Sequence, residues 1–484
     1  MINLIKISTN KYLIEKLPGM KVDALLYIKE AMLPQVQKDL SLVQLTEAAM
    51  LPGVISPVIG MPDIHEGFGL PIGGVMATNG LISVGAVGMD INCGVRLLTS
   101  AIAYDQKNFS GELLRTFINK IQQEIPVGVG SERRGNLAKL SFEDIVVGGA
   151  EFVIKNGYGT EDDLLSIEEA GKLEGARFEA LTPKAVQRAR KQIGTLGSGN
   201  HFIELQKVTE IYDEEIAKKF GLFKNQLCLM LHSGSRALGH QTCTDYTEIF
   251  WNLKDKYKVE IPRKGLAALP LEVKEAQNYF AAMAACVNFA FANRQVMTHF
   301  IRKIFAEFFK NENSGLNLLY DVAHNIAKWE IHQLSAISPP CREAGRQSSE
   351  KILVHRKGAT RALPAGHPLL PEKFKETGQP AIVPGSMGTA SYVLVGTPKA
   401  SETFFSVNHG AGRLLSRGEA FRTISKQRFE ESMEKVIYNL PFNKIADEAP
   451  SAYKNIHDVV DTLVEAGITK KVAKLVPLAV VKGD

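Results

Sequence analysis

Gly67-Phe68-Gly69-Leu70-Pro71-Ile72-Gly73-Gly74-Val75-Met76-Ala77-Thr78-Asn79-Gly80-Leu81-Ile82-Ser83-Val84-Gly85-Ala86-Val87-Gly88-Met89 contains no charged side chain. It is long enough to cross a bilayer. Its seven glycines, Pro71 and Asn79 interrupt the apolar character throughout, so it reads as buried, turn-rich structure and not as a membrane span. Short strands divided by Gly and Pro are expected over 51–100.

Outward from this stretch, residues 1–50 mix short apolar runs with charges and read as a small α/β lead-in. Lys6 and Lys11 interrupt the first apolar stretch, which excludes a signal-peptide core. Downstream, 110–125 and 162–192 carry helical periodicity, with start signals at Ser141 and at Thr182-Pro183. Residues 271–314 lack Gly and Pro and predict one long buried helix or two consecutive ones. Strands are expected at Leu227–Leu231, Ile352–His355, Ala381–Val383 and Tyr392–Val395, and helices at 426–437 and 456–466. Without a regular βαβ rhythm, the pattern predicts a mixed α+β fold, sheets with surrounding helices, and not a doubly wound sheet.

The chain has 484 residues, 57 Lys plus Arg against 52 Asp plus Glu, and 45% apolar residues. This composition excludes disorder, collagen-like repeats and a supercharged nucleic-acid-binding tail. The length alone suggests about three domains, yet no composition break marks a boundary. Five scattered cysteines without a CxxC pair (Cys93, Cys228, Cys243, Cys286, Cys341) fit a reducing cytoplasm better than a disulfide framework.

Several polar side chains sit at element ends beside small residues, which leaves room for a ligand. His201 follows Gly197-Ser198-Gly199-Asn200, His232 ends an apolar run, His324 ends another, and His409 opens His409-Gly410-Ala411-Gly412-Arg413. Asp90 and Cys93 are three residues apart before Gly94, a spacing that suits an O/S pair on a first-row transition metal completed by imidazoles. The same pair would equally serve as a turn cap and a buried thiol. Pro384-Gly385-Ser386-Met387-Gly388-Thr389-Ala390-Ser391 has the backbone N–H groups and hydroxyls of a phosphate cradle, and His409 with Arg413 could meet the same anion. No P-loop motif occurs. Lys184, Arg188 and Lys191 share helical spacing, with Arg190 beside them, and 342–361 holds six basic residues against two Glu. Either cluster predicts a phosphate-rich ligand or a solvated surface. His299 and His332 read as core or rim residues, His367 and His457 as surface residues, and His65 and His240 as supports beside the site.

Taken together, Asp90-Ile91-Asn92-Cys93-Gly94-Val95-Arg96, Leu196-Gly197-Ser198-Gly199-Asn200-His201-Phe202, His232-Ser233-Gly234-Ser235-Arg236, Tyr320-Asp321-Val322-Ala323-His324-Asn325, His355-Arg356-Lys357-Gly358-Ala359-Thr360-Arg361 and His409-Gly410-Ala411-Gly412-Arg413 resemble, in order, the motifs of the RtcB family of RNA-splicing ligases. The resemblance runs from near residue 60 to Lys482-Gly483. It implies one large catalytic unit over residues 1–484, since the implied site draws residues from Asp90 to Lys482. It also implies ligation of RNA 2′,3′-cyclic phosphate or 3′-phosphate ends to 5′-hydroxyl ends, in tRNA splicing or RNA repair, with GTP as cosubstrate and two Mn²⁺ per site.

By the same resemblance His409 is the nucleophile that takes GMP, and a neutral imidazole needs no deprotonation to attack. Asp90, Cys93 and His201 would hold one metal, and Cys93, His232 and His324 the other. The GMP pocket would comprise Asn200, His201, Phe202, Ile203, Glu204, His324, Asn325, Pro384, Gly385, Ser386, Met387, Ser391, His409, Gly410, Ala411, Gly412 and Lys482. Asn200 and Arg236 would hold the RNA phosphate. An archease activator and a monomer or weak dimer are further implications. Departures from the family pattern are small: Val84-Gly85-Ala86 stands for Pro-Gly-Gly, Ile64 for Gly, and Asn408 for Cys, while the loop between Ile331 and Ile352 is longer than in archaeal relatives. A dinuclear metallo-phosphoesterase acting on RNA ends would use the same ligands but leave His409–Arg413 and Lys482 idle. A non-catalytic RNA-binding protein would leave the ligand set unexplained.

Overall fold

The computed structural model describes the chain apart from residues 1, 108, 134–136, 138–139, 310–314 and 334–348. Two large sheets organise it. The first has seven strands in the order Leu4–Ser8, Lys11–Ile14, Ala24–Tyr27, Val54–His65, Ile72–Thr78, Ser349–Lys357 and Asn325–Gln333. The second runs Asn317–Ala323, Gly94–Ala103, Gln226–Ser233, Phe202–Ile211, Thr469–Val481, Ser391–Gly396 and Pro380–Val383, with Ile437–Tyr438 added in parallel to Thr469–Val481. The class is α+β, as the irregular strand–helix order predicts. The lead-in strands pair edge to edge into the first sheet. No helix among the described residues is long and apolar enough to cross a membrane.

The second sheet is covered on both faces, which explains why Leu227–Leu231 is a continuous apolar run. Leu227, Leu229 and Leu231 face a core shared with the helix Lys274–Phe308. Cys228 and Met230 point the other way, into a core shared with Phe429 and Met433. Lys274–Phe308 is a single helix of 35 residues, and its middle is buried on all sides. A third core joins the two sheets, with Ile59, Val75 and Val354 against Tyr392 and Leu394.

The uncharged stretch becomes the strands Ile72–Thr78 and Leu81–Ser83 and the short helix Val84–Val87, mostly buried. Ser141 and Thr182 cap their helices through Asp144 N (3.0 Å) and Ala185 N (3.2 Å). The region 162–192 is not one helix. It breaks into Glu161–Leu164, two short turns and Pro183–Ala189. Gly171 and Gly175 adopt φ of +78° and +88° there, a backbone conformation that ends helices. Most of the loop between Ile331 and Ile352, with Cys341, Arg342 and Arg346, lies outside the described residues.

The basic surplus at 342–361 does not form an exposed patch in its described part. Arg356 is fully buried and forks onto Glu330 (2.6 and 2.9 Å). Arg361 pairs with Glu169 at 2.8 Å and lies beside Glu168. Carboxylates from the neighbouring strand and from 168–169 neutralise these cations inside the protein, as buried charges require.

Candidate active site

Strand register alone gathers the polar element ends. Gly94 pairs with Ala323 on one side and Ser233 on the other, and His232 lies opposite Val95 and Phe202. Because the strands alternate in direction, the starts of Gly94–Ala103 and Phe202–Ile211 share one sheet end with the finishes of Gln226–Ser233 and Asn317–Ala323. Val481 pairs with Ile203, which brings Lys482 to that end too. His324 sits where the chain crosses from the second sheet into the first, and His409 follows the short strand Ser406–Asn408. All border one cavity of about 1580 Å³, which extends to the lead-in at Val36 and Lys38.

Asp90, Cys93 and His201 offer ligand atoms within 4.8 Å of one another. His201 donates from Nδ1 to the Leu196 carbonyl (2.9 Å), and its Nε2 lies 2.8 Å from Asp90 Oδ2 and 3.5 Å from Cys93 Sγ. His232 Nε2 lies 3.1 Å from the same sulfur. Both ring nitrogens of His324 are buried without a hydrogen-bond partner, and its ring centroid is 5.5 Å from that of His232. Burial opposes ionisation of Asp90, but His201 outweighs it and holds the carboxyl below its usual range. Burial holds the pKa values of His232 and His324 well below the ordinary imidazole range. Burial and Asp90 push the Cys93 thiol up, and a bound cation would reverse this by taking the thiolate. Three imidazoles, one carboxylate and one thiol, with one of the histidines buried and unpartnered, fit a divalent transition-metal centre. The four described cysteines, Cys93, Cys228, Cys243 and Cys286, are free and buried.

The cradle is held from behind by Arg294 of the long helix, which is fully buried. Its guanidinium donates to the Asn92 carbonyl (2.9 Å) and the Ser233 carbonyl (2.9 Å), the neighbours of Cys93 and His232. It also meets Asp321 at 2.8 Å, on the strand that ends at His324. Gly234 gives Asp90 its room: a Cβ there would lie 2.4 Å from Asp90 Oδ1, so the carboxylate would have to move. Gly234→Ala should therefore displace Asp90 and weaken divalent-metal binding by roughly 10- to 100-fold, measured by metal titration of the purified protein; unchanged affinity would refute the crowding.

His409 is fixed by a residue the sequence reading passed over. Asp63 Oδ2 accepts from His409 Nδ1 (2.6 Å), His409 N (3.0 Å) and Gly410 N (3.3 Å). This holds the proton on Nδ1 and leaves Nε2 with its lone pair. The signal was present in Met61-Pro62-Asp63-Ile64-His65, read only for its histidine. His65 donates to the Asp63 carbonyl at 2.8 Å, and burial lowers its pKa to about 3. The buried Lys454 amine bonds the carbonyls of Pro62 and Ile64, on either side of Asp63.

Of the other residues singled out, Asn200, Phe202, Arg236, Asn325, Pro384–Met387, Gly410–Gly412 and Lys482 line the cavity. Ile203 does not; its side chain belongs to the core beneath. Glu204 is buried beyond Phe202 with Oε1 unpartnered and Oε2 accepting from Gln206 (2.7 Å). Ser391 accepts from Gly385 N and Gln206 Nε2. Gly385 N and Ser386 N are thus both satisfied within the loop, the latter by Thr389, so they are not the free phosphate donors the glycine pattern suggests. Arg413 is likewise engaged, by Glu448 (3.1 Å) and the Asp447 carbonyl (2.8 Å). Lys482 lies between Glu448 (3.2 Å) and the Gly199 carbonyl. Arg188 and His240 also line the cavity near Asp90, whereas His332 bonds Glu330 in the buried ion network.

A donor set of this kind beside a histidine held by a carboxylate suits an enzyme of metal-assisted group transfer. Comparison with known proteins gives the class more narrowly. Residues 44–483 match the family described as tRNA-splicing ligase RtcB. The chain is 44% identical over 473 residues to the tRNA-splicing ligase RtcB of Thermococcus kodakarensis, covering 96% of this chain and 95% of that protein. The same name belongs to relatives from Archaeoglobus fulgidus, 44% identical over 475 residues (96% and 95% covered), and Nanoarchaeum equitans, 42% identical over 495 residues (all of both chains). The chain belongs to the RtcB family of RNA ligases.

Proposed function

We propose that this chain is a GTP- and Mn²⁺-dependent ligase that joins RNA 3′-phosphate ends, or 2′,3′-cyclic phosphate ends after hydrolysis, to 5′-hydroxyl ends through a histidine–GMP intermediate. The observation that carries this reading is His409, its proton held on Nδ1 by Asp63, at the wall of the cavity that contains the ligand set. His409 Nε2 attacks the α-phosphorus of GTP, the P–N bond forms, and the bond to the β-phosphate oxygen breaks to release pyrophosphate. Asp63 retains the Nδ1 proton and balances the charge that develops on the ring. An oxygen of the RNA 3′-phosphate then displaces His409, and the 5′-hydroxyl oxygen displaces GMP as the new phosphodiester forms.

Asp90, Cys93 and His201 would hold one Mn²⁺, and Cys93, His232 and His324 the other. Bound there, the cations neutralise the phosphates and polarise the phosphorus under attack. Asn200 and Arg236 face the cavity where the RNA phosphate would lie. Lys482 and the 384–387 loop border the nucleotide. The whole chain works as one catalytic unit in a reducing, cytoplasmic setting, with tRNA halves or broken RNA as substrate. An archease-type activator is the expected partner.

Incubation with α-labelled GTP and Mn²⁺ should leave label on the protein, stable to alkali and lost in acid. No label, or phosphate release from RNA without GTP, would favour the metallo-phosphoesterase. Glu204 adds a pH test. Burial raises its pKa to about 8, so it is neutral below that pH and a pure acceptor above it. Guanine offers two adjacent N–H donors to such an acceptor. GTP affinity should rise between pH 7 and 9 in the native protein and stay flat in Glu204→Gln, read from labelling against GTP concentration.

A further inference from the structure

Phe68 and Met89 are large apolar residues at the cavity wall that the ligase reading leaves without a role, 38% and 39% exposed. Single exposed apolar residues are ordinary. These two are distinguished by the rigidity of their loops. Lys357, itself 5% exposed, extends its amine to the carbonyl of Phe68 and, at 3.2 Å, to that of Gly85. Gly69 and Gly85 both press on the Gly265 carbonyl, where added Cβ atoms would lie 2.2 and 1.7 Å from its oxygen. The loop bearing Phe68 and the turn leading to Met89 are therefore locked side by side, and their apolar side chains still face water. Fixing the two backbones in advance lowers the cost of binding a flat ligand against their side chains.

The inner end of this arm reaches the nucleophile. Gly358, which follows Lys357, lies so close that a Cβ on it would be 3.1 Å from His409 Cε1. Met89 precedes Asp90. In the proposed reaction, an RNA end whose phosphate takes the guanylyl group from His409 would bring its last nucleotide to this wall.

We propose that Phe68 and Met89 form a subsite for the terminal nucleobase of the 3′-phosphate RNA strand, gripping its face without reading its sequence. This rests on the ligase reading and extends it to a substrate contact. Stacking on aromatic side chains tolerates any base because every base presents a π-face.

The test uses the full chain and two RNA series. One carries 1-deoxyribose, which keeps the 2′-hydroxyl but lacks a base, at the 3′-phosphate terminus; the other carries it at the 5′-hydroxyl terminus. In the native protein the first replacement should raise the KM for that strand by roughly 5- to 100-fold, and the second should have little effect. Phe68→Ala and Met89→Ala should raise the KM for the intact 3′-phosphate strand, respond little to base removal, and label with GTP as the native protein does. Phe68→Leu should lie between. A native protein indifferent to base removal at the 3′-phosphate end, or a loss confined to the 5′-hydroxyl strand, would overturn the subsite while GTP labelling stood. Failure of the native protein to label would overturn the ligase reading beneath it.

Discussion

His409→Ala should abolish GTP labelling and RNA joining while the protein remains folded. The side chain is part-exposed at the cavity, and Ala keeps the backbone N–H that Asp63 accepts. Removing a covalent nucleophile costs on the order of 10⁶-fold in rate, so residual labelling near the native level would refute the mechanism. Asp63→Asn isolates the tautomer. Its amide oxygen can still take the two backbone N–H groups, but the negative charge beside Nδ1 is gone. Labelling should slow by up to about 10⁴-fold with little change in the GTP concentration needed, because Asp63 meets the nucleophile and not the nucleotide. Single-turnover labelling rates at several GTP concentrations separate the two effects.

Arg294→Met should cost the protein its metal centre. Arg294 joins the turn before Cys93, the residue after His232 and the strand that ends at His324. Met fills part of its volume but makes none of these bonds. Breaking a buried ion pair this way destabilises by roughly 3–5 kcal/mol, though Arg96 still pairs with Asp321 at 2.7 Å. Stability alone would therefore not distinguish a positioning role. Cobalt does: a thiolate-to-cobalt absorption band reports Cys93 at the metal. Arg294→Met should lose that band and bind Mn²⁺ at least ~10-fold more weakly. Arg302→Met, on the same helix, breaks the pair with Asp163 at 2.7 Å without touching the ligand loops, and should keep the band. Loss of the band in both variants would reduce Arg294 to general packing. Arg294→Lys should not rescue, since an ammonium cannot reach both carbonyls and the carboxylate with a rigid fork.

The legibility of this chain differed by scale. Element ends were readable because apolar runs stop at a histidine followed by Gly-Ser residues, although each such end alone is equally compatible with a turn. The strand Gln226–Ser233, the caps at Ser141 and Thr182 and the helical character of 274–308 follow from local rules of periodicity and capping, whereas only the structure shows that 274–308 is one helix and not two. The break at 162–192 was missed because helical charge spacing conceals two glycines that leave the helix. Arg356 and Arg361 looked like ligand-facing cations because a sequence shows charge without its partner; Glu330, Glu168 and Glu169 absorb them. Asp63 lies 346 positions from His409, and no spacing rule spans such a gap.

By itself the sequence determined the α+β class, the residue types of the site and the family motifs, since all are local patterns of side-chain chemistry. Only the tertiary structure decided which of them meet. Antiparallel register brings Cys93, His201, His232 and His324 to one sheet end, and packing of the sheets sets His409 on Asp63. The same packing takes Arg413 and the amides of Gly385 and Ser386 out of reach of an anion by satisfying them internally. The physical reason is that a buried charge or N–H must find a partner, and the partner is supplied by whichever distant segment the fold places beside it.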